Sequence, residues 1–169
     1  KSVYIPVTYI QSTGNQWIDT GIIVTDKTYD FEIVGSFTAL NPSETPQSVF
    51  GLMGSPSNPL IPRLGLFTYK NVVGAGVNST VDFTSQQSDT NLHVYKLMRT
   101  TNQVWIDSNM ISLNDSLTSS LSSSLYLFAR RRPYGPDNFG SFKMYEFTVY
   151  QSGAVIQHLI PVLNFGVPC

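Results

Sequence analysis

The sequence predicts an all-β chain, folded as a two-sheet antiparallel β-sandwich or jelly roll. Three observations lead there. No stretch of eleven or more residues carries apolar side chains at the i, i+3, i+4, i+7 spacing of an amphipathic helix. Roughly ten to twelve short alternating runs recur instead, separated by clusters of Gly, Pro, Asn, Asp and Ser, the pattern of strands joined by tight turns. A length of 169 residues suffices to bury a core without covalent staples.

Taken in order, Val3 to Ile10 reads as a first strand, with Pro6 marking an edge or bend. Ser12 to Asn15 is a turn. Gln16 to Thr20 follows, with Trp17 and Asp19 on one face and Trp17 expected in the core. Thr28 to Leu40 alternates for longest, with Phe31, Ile33 and Gly35 on one side and Asp30, Glu32 and Val34 on the other. Asn41 to Gln47 is loop and Ser48 to Met53 a short strand. Gly54 to Pro62 is a Pro-rich loop. Arg63 to Tyr69 and Val72 to Val77 form a hairpin, in which Gly74 and Gly76 leave bare backbone for the close approach of a neighbour or ligand. Thr80 to Phe83 is another strand and Ser85 to Thr90 a polar loop.

His93 to Leu113 holds three strands, broken at Thr100-Thr101-Asn102 and at Asp107-Ser108-Asn109. If Tyr95, Leu97, Val104 and Ile106 face the core, Trp105 points away from it. Asn114 to Ser124 is Ser-rich, either loop or one short helical turn. Leu125 to Ala129 is a strand and Arg130 to Gly140 a long loop. Ser141 to Tyr150 is a strand with Tyr145, Phe147 and Val149 on one face. A turn at Gln151-Ser152-Gly153 leads into a last strand, Ala154 to Val162.

Charged residues make up only 12% of the chain, with Ser, Thr, Asn and Gln in their place. That composition fits an extracellular, cell-surface or virion protein. The net charge is -1, and the only basic run is Arg130-Arg131-Arg132, so nucleic acid is not an expected partner. No apolar run approaches a membrane span, so no membrane insertion is expected. The single cysteine, Cys169, excludes an internal disulfide. Asn78-Ser79-Thr80 and Asn114-Asp115-Ser116 match the glycosylation sequon, relevant only in a eukaryotic secretory setting.

The opening Tyr9-Ile10-Gln11-Ser12-Thr13-Gly14-Asn15-Gln16-Trp17-Ile18-Asp19-Thr20-Gly21 resembles the Y-I-x-S-T-G-x-Q-Y-I-D-T-G start of laminin-G-like jelly rolls. These belong to the concanavalin A-like lectin/glucanase superfamily, found in bacterial surface and phage structural proteins. Val104-Trp105-Ile106-Asp107-Ser108-Asn109 is similar to the strand-Asp-Gly-Asn hairpin of that group, with Ser108 in place of Gly. Leu127-Phe128-Ala129, Lys143 to Phe147, Ile160-Pro161-Val162 and Gly166 to Cys169 resemble its closing strands. The resemblance spans nearly the whole chain. It implies a single lectin-like β-sandwich domain over residues 1–169, with excision from a larger protein as an open expectation. It says less about function, because this fold hosts lectins, hydrolases and adhesion domains alike.

Hydrolases of the superfamily carry Glu-x-Asp-x-Glu on one strand. Only Asp30-Phe31-Glu32 approaches that pattern, and no third acid follows in step, so two solvated carboxylates are expected and an enzyme is not. His93 and His158 lie within strands and no Gly-x-Ser-x-Gly elbow accompanies them. No cofactor is expected. Calcium, with ligands from Asp107-Ser108-Asn109 or Asp137-Asn138, is the lesser alternative to the ordinary role of Asp and Asn in turns. Sugars need an aromatic plane beside planar polar groups. Trp105 offers one, and the segment holding Arg130, Arg131, Tyr134, Asp137 and Asn138 offers another. The expected function is non-catalytic recognition of a glycan or polysaccharide. The alternative is an assembly or adhesion domain whose partners are neighbouring domains or subunits.

Overall fold

Runs that alternate apolar and polar side chains can bury one face only by pairing into sheets and stacking them. The computed structural model describes residues 4–40, 44–55, 58–114, 121 and 123–164. Its strands are β1 (Tyr4–Pro6), β2 (Ile10–Thr13), β3 (Ile18–Ile23), β4 (Tyr29–Phe37), β5 (Gln47–Ser55), β6 (Asn58–Tyr69), β7 (Val72–Asn78), β8 (Thr80–Gln87) and β9 (His93–Met98). Then come β10 (Gln103–Ile106), β11 (Asn109–Ser112), β12 (Ser124–Leu127), β13 (Arg130–Arg132), β14 (Gly135–Asp137), β15 (Ser141–Gln151), β16 (Ala154–Leu159) and β17 (Val162–Asn164).

Two sheets form the sandwich. The seven-stranded sheet has the order β11-β10-β9-β4-β15-β16, with β2 also on β15. The eight-stranded sheet has the order β14-β13-β5-β6-β7-β8, with β12 on β5 and β3 on β12, while β1 and β17 make a two-stranded ribbon. Pairing is antiparallel throughout the described residues except where β13 runs parallel to β5.

The core lies between the sheets. Phe31 and Ile33 of β4, Tyr95 and Leu97 of β9, and Val104 and Ile106 of β10 are buried as their alternation requires. Rings interlock across the layers: Phe31 lies 5.5 Å from Phe50, and Phe50 lies 5.8 Å from Phe147. Each such side chain contributes about 1.5–3 kcal/mol on leaving water. The turns are cut by residues that tolerate left-handed backbone, Asn102 and Asp107 at φ 53° and the pair Ser152 (49°) and Gly153 (81°). Two successive positive φ values match the twist of a hairpin.

Several expected boundaries move. The first strand divides into β1 and β2, and the last into β16 and β17. The Pro-rich segment after Gly54 is not all loop, since β6 already begins at Asn58. Asn58 pairs with Ser55 of β5, and Pro59 and Pro62 fall within the register shift between that pair and Met53–Arg63, before β7 joins at Arg63, an irregular stretch of the kind that admits proline. β8 runs on to Gln87, and residues 130–137 fold into the β13–β14 hairpin rather than a loop. In β15 a register shift between Met144 and Glu146 reverses the faces part-way. Phe142 and Met144 are therefore buried before it, and Phe147 and Val149 after it. The Ser-rich expectation for Asn114 to Ser124 falls mostly outside the described residues.

Candidate functional site

The period of two along β6 sends Leu64 and Leu66 into the core and Arg63, Gly65, Phe67 and Tyr69 to the outer face of the eight-stranded sheet. Register then sets glycine beside glycine. Gly65 is opposite Gly51 of β5 on one side and Gly76 of β7 on the other, and Gly76 is opposite Val81 of β8. Three adjacent strands thus present bare backbone at one level, which forms the floor of an open groove of about 320 Å³.

The walls lean over that floor because nothing projects from it. A Cβ on Gly76 would stand 3.0 Å from Cδ of Arg63, and one on Gly74 would stand 2.9 Å from the Phe83 ring and 3.2 Å from the Phe67 ring. Phe83 meets Phe67 edge-on at 6.1 Å and Tyr69 at 5.9 Å. One end of the groove is therefore aromatic. The other end is cationic, with Arg63 and Arg130 both lining it together with Asn138. Burial, and then the neighbouring Arg130 charge, lower the Arg63 pKa from its ordinary value. No carboxylate side chain lines the groove among the described residues.

Arg130 owes its place to a sharp reversal. Phe128 sits at φ 63°, unusual for a bulky residue, with its N–H donating to Val49 O and its carbonyl accepting from Gly140 N–H. The chain doubles back there, so that Tyr126 and then Arg130 both come to lie opposite Gly51. Asp137 holds the Arg130 guanidinium in a fork, accepting from Nε at 2.8 Å and Nη2 at 2.7 Å, and also takes Arg132 Nη1 at 3.2 Å. Asn138, at φ 49°, accepts the Ser48 N–H through its carbonyl. Arg131 lies over the Tyr126 ring at 4.9 Å and pairs with Asp19 at 3.1 Å, also donating to the Ser124 hydroxyl. Burial raises the Asp19 pKa, but the Ser124 hydroxyl, the Gly21 N–H and Arg131 outweigh it and bring it below the usual value.

The residues singled out from sequence therefore divide. Arg130 and Asn138 line the groove, Asp137 fixes Arg130, and Arg131 stands beside them on Tyr126. Tyr134 projects from the β13–β14 turn, 83% exposed. Trp105 does point away from the core, but from the other sheet. It is half-buried in a cross-strand row with Met110, Lys96, Glu32, Thr148 and His158, and its indole N–H donates to Gln103 Oε1 at 3.2 Å. Trp17 is not in the core: it is 45% exposed and stacked on Tyr126. Sequence reasoning does not single out Arg63, Phe67, Tyr69 or Phe83, although Arg-x-Gly-x-Phe-x-Tyr at strand period was the available signal.

The other expected constellations are engaged elsewhere. Asp30 is not solvated as expected but buried, accepting from the Thr100 N–H at 3.0 Å and its hydroxyl at 2.7 Å, while Glu32 pairs with Lys96 at 2.7 Å. Asp107 is occupied by the Val94 N–H and by His93, whose other ring nitrogen reaches Asp89. His158 pairs with Glu146 at 2.9 Å.

Solved structures share this architecture. The carbohydrate-binding module CBM40 of the Ruminococcus gnavus IT-sialidase, described as bound to α2,3 sialyllactose, aligns with a TM-score of 0.61 at 11% identity, over 90% of this chain and 93% of that one. A second structure of the same module gives 0.60 over 92% and 94%. A K499G mutant of NanB sialidase from Streptococcus pneumoniae gives 0.58 at 12% identity over 92% of this chain. This chain spans only 26% of that sialidase. At such identities the likeness is one of fold: a two-sheet antiparallel β-sandwich. No protein-family model matches the chain, and no curated protein matches it.

Proposed function

We propose that this chain is a non-catalytic glycan-recognition module, and that its ligand sits in the groove on the eight-stranded sheet. One observation carries the reading: two arginines and a cluster of aromatic rings flank a floor made of Gly51, Gly65 and Gly76. A pyranose ring has an apolar C–H face for the rings, and a bare floor lets it approach the sheet. The arginines favour a sugar bearing a carboxylate. The R. gnavus module bound to α2,3 sialyllactose supports the same class, so a sialylated glycan is the first ligand to try. General acid–base hydrolysis calls for two carboxylates across a cleft, and the groove's described lining offers none. We read the module as laminin-G-like in lineage, extracellular or surface-borne in setting, and a single domain that serves a larger protein.

The test is a calorimetric titration with α2,3-sialyllactose, backed by a glycan array. Saturable binding is expected. Arg63→Ala should weaken it about 10- to 100-fold, the range for losing a hydrogen bond to a charged group. Array silence across sialylated, other host and microbial glycans would overturn the reading.

The second reading, an assembly domain, draws on one feature. β16 is an edge strand whose Val155 and Ile156 are exposed, and Ile160 and Val162 continue the apolar surface. Light scattering showing a stable oligomer that Val155→Lys disperses would favour it.

A further inference from the structure

We infer that Trp17 is a second contact platform, for the sugar that follows the acidic one, so that the surface reads a short oligosaccharide rather than a monosaccharide. The inference rests on the groove reading above. Contiguous exposed aromatic surface marks a contact site, and Trp17, 45% exposed, forms such a cluster with Tyr126 and Phe139 beside the groove. One face of the Trp17 ring lies against Tyr126, at 6.2 Å and 27° between planes. Tyr126 is itself opposite Gly51, the edge of the groove floor. Phe139 meets Trp17 from the side at 6.2 Å, and its neighbour Asn138 lines the groove. The indole is thus continuous with the site on two paths, one through the sheet and one through the β14–β15 connection.

The platform is also held still. Arg131 lies over Tyr126 and is tied to Asp19 and Ser124, so the ring under Trp17 is clamped by a cation fixed at two further points. A prepaid, rigid aromatic surface loses little freedom on binding. Cross-strand neighbours are about 5 Å apart, and the 6.2 Å ring spacing adds to that. Trp17 therefore lies beyond the reach of one sugar seated at Gly51 but within reach of the next. The surrounding groups, an indole face with guanidinium and amide groups beside it, suit a neutral pyranose.

The experiment compares two probes, α2,3-sialyllactose and the methyl glycoside of sialic acid, by calorimetry. The wild-type protein is expected to bind the trisaccharide more tightly. Trp17→Ala should shrink the ratio of the two affinities by about 3- to 10-fold, the worth of one aromatic face. Trp17→Phe should restore most of the ratio, which separates a stacking role from a folding defect. In a Trp105→Phe background, the trisaccharide should shift or quench the remaining indole emission and the monosaccharide should not. A ratio unchanged in Trp17→Ala, with Arg63→Ala still weakening binding of both probes, overturns this inference and leaves the groove reading intact. Failure of the wild type to bind either probe overturns both.

Discussion

A single methyl at Gly76 probes the groove without removing any polar group. The added Cβ of Gly76→Ala would stand 3.0 Å from Arg63 Cδ, 3.3 Å from its Cγ and 3.8 Å from Cε1 of Phe67. The first two contacts are too tight, so the Arg63 stem must swing away from the floor by a few tenths of an ångström or more. A flexible stem can do this, and Gly76 is not in the left-handed region, so alanine meets no backbone strain. The loss of unfolded-state freedom should stabilise the fold by about 0.4–1 kcal/mol, less the cost of moving Arg63. The melting temperature should therefore stay within about 3 °C of wild type. Binding should behave differently. A displaced guanidinium keeps its charge in the groove but loses alignment, so part of the roughly 1.5–3 kcal/mol of a charge-assisted hydrogen bond is forfeited. About 1 kcal/mol, or roughly a fivefold weaker affinity for sialyllactose, is the expected outcome. Scanning calorimetry and titration calorimetry on the same preparation measure both. Unchanged affinity with unchanged stability would refute the assignment of Arg63 as a ligand contact. Gly65→Ala is the contrast: its Cβ would meet Phe50 O at 2.7 Å and Gly51 Cα at 2.9 Å, backbone that cannot swing aside, so it should unfold at clearly lower temperature.

His93 should make stability depend on pH. Burial lowers its pKa, but the carboxylates of Asp107 at 2.6 Å and Asp89 at 2.9 Å outweigh it and raise the pKa above 6.5. Its contribution is thus complete below about pH 6.5, the unfolded value, and fades as pH rises through the folded one. Asp89 and Asp107 are lowered, so theirs is present above about pH 4 and is lost on further acidification. Melting temperature measured from pH 4 to pH 9 should show His93→Gln destabilising most near pH 5–6 and least at pH 9; a pH-independent difference would contradict the ion-pair account. Gly35→Ala should fail to fold, since its Cβ would fall 2.2 Å from the Phe142 ring and 2.4 Å from Lys143 O; a cooperative melt near that of wild type would show that the two strands can part. Binding of sialyllactose should weaken steadily between about 50 and 500 mM salt, as a guanidinium–carboxylate contact in an open groove requires; salt-independent affinity would argue for a neutral ligand.

Alternation was legible wherever a strand kept its period. Phe31 and Ile33, Tyr95 and Leu97, and Val104 and Ile106 face inward and Trp105 outward because no extra residue interrupts those runs. In β15 the inward face of Phe147 and Val149 was read correctly, but Met144 was placed on the opposite face, because one inserted residue shifts the parity before Glu146 and no residue type announces it. Trp17 was misplaced for a related reason. It precedes β3, so the alternation of that strand does not bind it, and an aromatic before a strand reads as core until a second ring is seen to support it.

The site was harder to read because it depends on register between strands rather than on sequence within one. Gly74 and Gly76 did signal close approach, yet what approaches is Phe83, Phe67 and Arg63, from the two flanking strands. Gly51, Gly65 and Gly76 form a floor only because β5, β6 and β7 align them at one level, a fact fixed by turn lengths and by the shifts in the β5–β6 and β7–β8 ladders. Arg130 was legible as one of a basic run in a polar segment, but its partner Arg63 lies 67 positions earlier on a segment bordering prolines. A groove spread over five strands has no linear motif. What a sequence can offer is each strand's own parity, and Arg63-x-Gly65-x-Phe67-x-Tyr69 beside Gly74-x-Gly76 already places a cation, rings and bare backbone on one face. Those two runs, read as a hairpin, supply Arg63, Phe67, Tyr69 and two of the three floor glycines, and the neighbouring strands add Gly51, Phe83 and Arg130.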